Sequence, residues 1–284
     1  MSFTAVVLAG SRPGRDEFAE SFGTDLKALI PVAGEPMVRR PVRALLKSGQ
    51  VGKIVVLTQA PERIAEALPD DARVQVQQSH GTIAETMLGL IDDPATEWPL
   101  LVTTADHALL DAATVDEFAR EAAGFDIAIG VVERANLLKR LPQTKRTWLK
   151  FRGGAYTGAN LFMLNSPAVR PAIELWRSVE QDRKKGWRLI GLFGPVVLAG
   201  AAVRLLGIDD VLARVGRKLG LGIRAVRLSN PLAGVDVDKA EDHALVEAIL
   251  NGDPLLRSSP VQSRDATPRV STSLDTSGLG KGRG

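Results

Sequence analysis

The sequence predicts an α/β fold, a mostly parallel sheet with helices on both faces, and three observations lead there. Short β-branched apolar runs (Phe3 to Ala9, Lys53 to Thr58, Leu100 to Thr104) alternate with stretches of helical spacing. The first and most apolar of these runs does not alternate with polar residues, which suits a strand covered on both sides. Hydrophobic residues make up 45% of the 284, with aromatics at only 5%, so a sizeable core of Val, Leu, Ile and Ala is expected.

Taken in order, Phe3 to Ala9 is a buried strand that runs into Gly10. Met37 to Ser48 is a helix, with Gly49 in place as its C-terminal cap. Lys53 to Thr58 is a second strand, Pro61 to Leu68 a short helix, Arg73 to Gln77 a third strand, and Thr82 to Ile91 a helix. Leu100 to Thr104 is a fourth strand, and Asp111 suits the N-cap of a helix to Ala122. Asp126 to Val132 is a fifth strand. Glu133 to Arg152 then holds seven basic residues against one acid and reads first as a solvated loop. Trp148 to Leu164 reads as paired strands around Gly153-Gly154, and Pro167 to Gln181 as a helix. Asp209-Asp210 caps another helix, Ile223 to Leu228 is a strand, and Lys239 to Leu250 is the last helix. From Gly252 the chain is Ser, Thr, Pro and Gly with few large apolar residues, a tail expected to be disordered.

Composition removes several function classes. Without cysteine there is no disulfide, thiolate metal site or cysteine nucleophile, and three histidines make a zinc site a poor expectation. A catalytic metal would be oxygen-ligated, magnesium above all. The net charge of +3 is small; nucleic-acid binding would need clustered basic residues interleaved with stacking aromatics, the basic run after residue 133 has only Trp148 and Phe151, and no nucleic-acid partner is expected. The N-terminus lacks a signal peptide, and a cytoplasmic protein is expected. Leu189 to Ile208 carries only Arg204 as a charge. Its glycines and Pro195 favour a buried helix over a helix resting on a membrane surface, with a true span last.

The first strand leads into Leu8-Ala9-Gly10-Ser11-Arg12-Pro13-Gly14-Arg15. Glycines after a strand let backbone N–H groups approach phosphate oxygens, and arginine adds charge-assisted contacts. Neither the P-loop nor the dinucleotide-binding pattern fits, and a solvated turn is the plain alternative. The loop runs on to Lys27 and then to Pro31-Val32-Ala33-Gly34-Glu35-Pro36-Met37.

Together, Leu8-Ala9-Gly10, Arg15, Lys27 and Pro31-Val32-x-Gly34-x-Pro36-Met37 resemble the opening of the sugar-nucleotide and molybdopterin-type, MobA-like nucleotidyltransferases, in which LAGG-x-G-x-R precedes K-x-L-x-P-V-x-G-x-P-M. Ser11 departs from the pattern where the family has a second glycine. The resemblance implies a Rossmann-like, GT-A-like nucleotidyltransferase fold over 1–251, with an acceptor-side insertion at about 133–222 and the tail 252–284 outside it. It implies that Leu8, Ala9, Gly10 and Ser11 cradle an NTP, and that Arg15 and Lys27 stabilise phosphate charge during transfer. Asp106 would bind the bridging Mg2+, since ligands sit at the carboxyl ends of strands in such sheets.

Gly234-Val235-Asp236-Val237-Asp238-Lys239-Ala240-Glu241-Asp242 resembles the family's closing D-V-D-x-x-E-D. One of its alternating aspartates is expected to face the site, and Asp238 is preferred as the second metal ligand. Asp238-x-x-Glu241 also suits a capping box. His80, Gly81 and Thr82 match a nucleobase loop, with a surface histidine an equal alternative. Gly158 and Asn160 match an acceptor-binding turn, with plain strand packing as the rival reading. The basic run and the apolar stretch together permit a phosphorylated or lipid-like acceptor, with peripheral membrane contact. A glycosyltransferase of the same architecture and a degenerate nucleotide-binding module stay open as alternatives.

Overall fold

The computed structural model describes residues 2–11, 14–79, 81–180 and 206–252. His80, most of the apolar stretch 189–208 and nearly all of the tail lie outside them. No helix among the described residues is long and apolar enough to cross a membrane.

The strands follow the expected runs closely: β1 (Phe3–Leu8), β4 (Val51–Thr58), β5 (Val74–Gln78), β6 (Leu100–Thr104), β7 (Ile127–Glu133), the paired β8 (Leu149–Phe151) and β9 (Gly154–Leu164), and β10 (Ile223–Arg227). They form an eight-stranded sheet in the order β10-β7-β9-β6-β1-β4-β5, with β8 paired to β9. All neighbours are parallel except β9, which runs antiparallel to β6, β7 and β8. After the single-turn helix α1 (Glu17–Glu20), a separate two-stranded hairpin joins β2 (Pro31–Val32) to β3 (Glu35–Pro36).

Alternation along β1 explains the two-sided cover. Phe3, Ala5 and Val7 join a cluster with α2 (Arg39–Lys47), α3 (Pro61–Ala67), α5 (Ala112–Ala122) and α9 (Ala240–Leu250). Val6 joins the opposite cluster, with α4 (Ile83–Asp92) and α7 (Arg170–Glu180). A third small cluster around Ile208 and Ala225 brings in α8 (Ile208–Leu219).

Several local expectations are corrected. Gly49 is not the cap of α2: the chain leaves the helix through Ser48 in an extended conformation and turns through Gly49 and Gln50 into β4, with no left-handed residue. In α8 the N-cap is Gly207, and Asp210 lies inside the first turn, accepting the Gly207 N–H at 2.9 Å. The basic run is not wholly a loop. Its first part is α6 (Arg134–Arg140), because Leu137 and Leu141, four residues apart, are both buried.

Two features place a crevice. From β1 the chain moves outward through β4 and β5, then returns to β6 on the other side of β1, so the carboxyl ends of β1 and β6 flank a topological switch point. The β6–β9 ladder stops at Val102↔Phe162, and the β7–β9 register shifts between Ile129 and Val131. Asn160, at φ 47°, sits in that shift. This irregularity bends β9 away before Thr103 and Thr104 are paired by it, leaving room beside the end of β6.

His107 is buried directly beyond β6, with its Nδ1 3.3 Å from Thr103 Oγ1. Burial pushes its pKa down to about 4, against the opposing pull of the Asp106 and Asp111 carboxylates. Because the folded-state pKa is depressed, the neutral ring's contribution is complete above about pH 6.5 and is lost as pH falls towards 4. Replacing His107 with Gln should remove up to roughly 3 kcal/mol of the stability lost between pH 7 and pH 4. Urea unfolding of both proteins at the two pH values checks this, and equal pH slopes refute it.

Candidate active site

Lys27 opens a single 3-10 turn, Lys27–Leu29, in which Leu26, Ala28 and Ile30 are buried. The alternation leaves the lysine facing the crevice. The β2–β3 hairpin that follows turns through Ala33 and Gly34, both left-handed at φ 48° and 79°, as a two-residue hairpin of matching twist requires. It is clamped to the last helix: Ala33 donates its N–H to Glu247 Oε1 at 2.5 Å, and His243 Nε2 lies 2.7 Å from the Pro31 carbonyl. The Pro-Val-x-Gly-x-Pro-Met block therefore serves as the mounting for Lys27.

Asp106 follows the end of β6, and Thr104 Oγ1 donates to its Oδ1 at 2.5 Å. Asp238 arrives from far along the chain, on a segment tied to the same loop by Val237 N–H donating to the Asp106 carbonyl at 3.1 Å. Gly234 lets that segment settle, since a Cβ there would meet Thr157 Cγ2 at 2.9 Å and Val132 Cβ at 3.1 Å. The Lys27 Nζ lies between the two carboxylates, 2.6 Å from Asp106 Oδ2 and 2.6 Å from Asp238 Oδ1. Burial pulls the ammonium's pKa down, but the two carboxylates more than offset it, and the net shift is upward.

The idea that only one of the two aspartates would face the site does not hold. Residues two apart on extended chain share a side. Val235 and Val237 are buried, so Asp236 and Asp238 both face outward. Burial and the neighbouring Asp238 charge raise the pKa of Asp236, while Arg146 works in the opposite direction. The Asp238–Glu241 capping box does not form: α9 has Lys239 at its N-cap with no side-chain cap. Asp242 instead accepts the Asp238 N–H at 3.3 Å, leaving the Asp238 carboxylate on Lys27.

The opening loop is held by a residue that sequence reasoning missed. Gln59, just beyond β4, accepts the Ser11 N–H at 2.9 Å and lies so close to Gly10 that a Cβ there would meet its amide at 2.8 Å. Leu8 ends β1, and Ala9 is buried, donating to the Leu57 carbonyl at 2.8 Å. Arg15 is not brought to Lys27; its Nε lies on the Glu20 carboxylate at 2.7 and 2.6 Å, with the side chain 77% exposed. Gly81 is left-handed at φ 72°, and Thr82 caps α4 in a box with Glu85, so its hydroxyl has a structural task. Gly158 has open space where a Cβ would stand, so packing does not demand a glycine there. The Asn160 amide donates to Asp236 Oδ2 at 3.2 Å.

Arg146 was the other residue missed, hidden among six other basic residues in the same run. Its guanidinium hydrogen-bonds the Asp236 carboxylate and lies 3.1 Å from Asp242. An available signal was charge complementarity between the basic run and Asp236, Asp238, Glu241 and Asp242. The donor set suits a hard divalent cation: two carboxylate oxygens already hold one positive charge between them, in the form of the Lys27 ammonium. Among the described residues no group of three or more His, Asp or Glu is assembled to hold a metal. A cation here would complete its shell from water and ligand phosphates, as magnesium commonly does.

Comparison with known proteins fits this geometry. A hypothetical transferase structure from Thermus thermophilus is 32% identical, with a TM-score of 0.73 over 86% of this chain and 100% of that one. Two further solved structures, each 10% identical with a TM-score of 0.56, share the fold over 88% of this chain. They are 4-diphosphocytidyl-2C-methyl-D-erythritol synthase from Anaerococcus prevotii, matched over 96% of its length, and CMP:2-keto-3-deoxy-manno-octonic acid synthetase complexed with CTP, matched over 99%. No curated protein is detectably similar in sequence. The model of the MobA-like NTP transferase domain matches residues 5–191. With the GT-A-like sheet, the opening loop and the Lys27–Asp106 pairing in one crevice, the chain belongs to the MobA-like NTP transferase family.

Proposed function

We propose that this protein transfers a nucleoside monophosphate from an NTP to a phosphorylated acceptor and releases pyrophosphate. One observation carries the reading: the Lys27 ammonium lies 2.6 Å from each of two carboxylates in the crevice where the phosphate loop ends. The site thus holds both kinds of charge that a polyphosphate needs, a cation for its oxygens and carboxylates for a bridging metal.

In this reading Gly10 presents its backbone N–H to the triphosphate, with Ser11 beside it held by Gln59 and Leu8 and Ala9 beneath. Lys27, and Arg15 from the loop, neutralise charge on the phosphates. Gly81 and Thr82, with His80, border the base; Gly158 leaves clearance for the acceptor, and Asn160 borders it. Asp106 and Asp238 would hold Mg2+, which when bound would supply charge neutralisation for the polyphosphate. An acceptor phosphate oxygen attacks the α-phosphorus as the bond to the bridging oxygen breaks. Such a nucleophile arrives deprotonated, so the chain needs no general base, and the buried neutral His107 need not act as one. The 1–251 unit would carry both halves of the site, with the acceptor side drawn from 133–222. A cytoplasmic setting, where NTPs are supplied, accompanies the reading, and a lipid-like acceptor would add peripheral membrane contact.

Pyrophosphate release from each NTP with Mg2+, in the presence of candidate phosphomonoesters, is the direct test. CTP is the first to try, because one structural neighbour is described in complex with it. Asp106→Ala should lose roughly a thousandfold or more in turnover while retaining the fold, since several kcal/mol of charge stabilisation go with it. Near-full activity in that variant would sink the assignment. Lys27→Met should lower kcat by about a hundredfold or more, in line with the loss of one preorganised charge contact. A change confined to KM would instead show that Lys27 binds the ground state and the transition state alike.

A further inference from the structure

We infer that Arg146 is a positioning residue for the Asp238 carboxylate, an inference that rests on the nucleotidyl-transfer reading above. The Asp238 side chain is 63% exposed, and its carboxylate bonds to Lys27 on the facing turn. Besides Lys27 and the neighbouring Val237–Asp106 backbone bond, the anchoring of the residues on either side holds it in place. Two residues before it, Asp236 is held through both its carboxylate and its carbonyl oxygen, the latter 3.2 Å from Arg146 Nη2. Four residues after it, Asp242 Oδ1 lies 3.1 Å from the same Nη2. The other oxygen of Asp242 accepts the Asp238 N–H at 3.3 Å. One guanidinium thereby spans the segment that bears Asp238, gripping it upstream and downstream.

Arg146 is built for this and for little else. Its side chain is 8% exposed, so it does not reach solvent as its basic neighbours do. A planar fork can serve two carboxylates and a carbonyl at once, which a single ammonium cannot match in the same geometry. Asn160 adds a second donor to Asp236 from the irregular stretch of β9. The charges also balance towards a divalent ion. Asp106, Asp236, Asp238 and Asp242 face Lys27 and Arg146, which leaves two negative charges in this cluster.

The test compares wild type, Arg146→Lys and Arg146→Met for Mn2+ binding, read by EPR with each of the four NTPs present, alongside circular dichroism and melting temperature. Arg146→Met should weaken Mn2+ binding about tenfold or more, while its KM for the nucleotide at saturating metal changes less than twofold. Arg146→Lys should fall between, keeping the charge and losing the fork. A residue that merely stabilised the fold would lower the melting temperature and leave the folded protein's Mn2+ affinity unchanged, and that result overturns the inference. If Arg146→Met does not fold, Asp242→Asn takes its place: it removes the downstream anchor and should weaken Mn2+ binding several-fold, and unchanged binding there equally overturns it. Wild-type protein that takes up no Mn2+ with any NTP overturns the functional reading and this inference together, whereas normal wild-type uptake with unaffected variants overturns the inference alone.

Discussion

The Lys27 ammonium sits between Asp106 and Asp238, and much of the crevice can be understood as the means of keeping it there. The three groups come from the two ends of the chain and its middle, on a 3-10 turn, a strand end and an extended segment. Like charges at this spacing would repel in a low-dielectric crevice unless a cation stood between them. The lysine supplies that cation within the chain. The β2–β3 hairpin clamped by Glu247, the Thr104 hydroxyl on Asp106 and the Val237–Asp106 backbone bond each restrain one member of the trio.

The sheet sets where this can happen. Parallel strands end on one edge, and the reversal of direction around β1 opens a crevice between the loops that leave it. The irregularity in β9 widens that opening on the β6 side, because Asn160 takes a left-handed conformation where the ladder would otherwise continue. The loop that follows β1 and the Asp106 carboxylate that follows β6 thus approach one space from neighbouring strands, while β9 carries Gly158 and Asn160 in from the other side.

Much of this was legible in the residues. Buried parallel strands announce themselves as β-branched runs regardless of their neighbours, so β1, β4, β6 and β7 read correctly within a residue or two. Asp111 read correctly as a cap because capping is a local matter. Tertiary partners were harder to see. The pair Leu137 and Leu141 that makes α6 was masked by the surrounding charge. Arg146 looked like any other basic residue, because its carboxylates lie about 90 positions further on, and only the folded chain joins them. The Asp238 capping box was a sound local pattern that lost to a distant competitor, since an ammonium offers a carboxylate more than a backbone N–H does. Asp236 was set aside through misjudged alternation, and the buried Val235 and Val237 show why both acids share a face.

The pairing of Lys27 with Asp238 spans 211 positions of sequence. On a growing chain, β1, β4, β5 and β6 are all delivered within the first 104 residues and can pair as neighbours. The hairpin that follows Lys27 is made early too, yet its clamps, His243 and Glu247, lie more than two hundred positions further along. A nascent chain can therefore own the loop after β1 and half a sheet while its crevice still lacks the second carboxylate. The trio of charges is complete only once Asp238 and the helix that follows it have emerged, so a chain cut short before them lacks the residues that close the crevice.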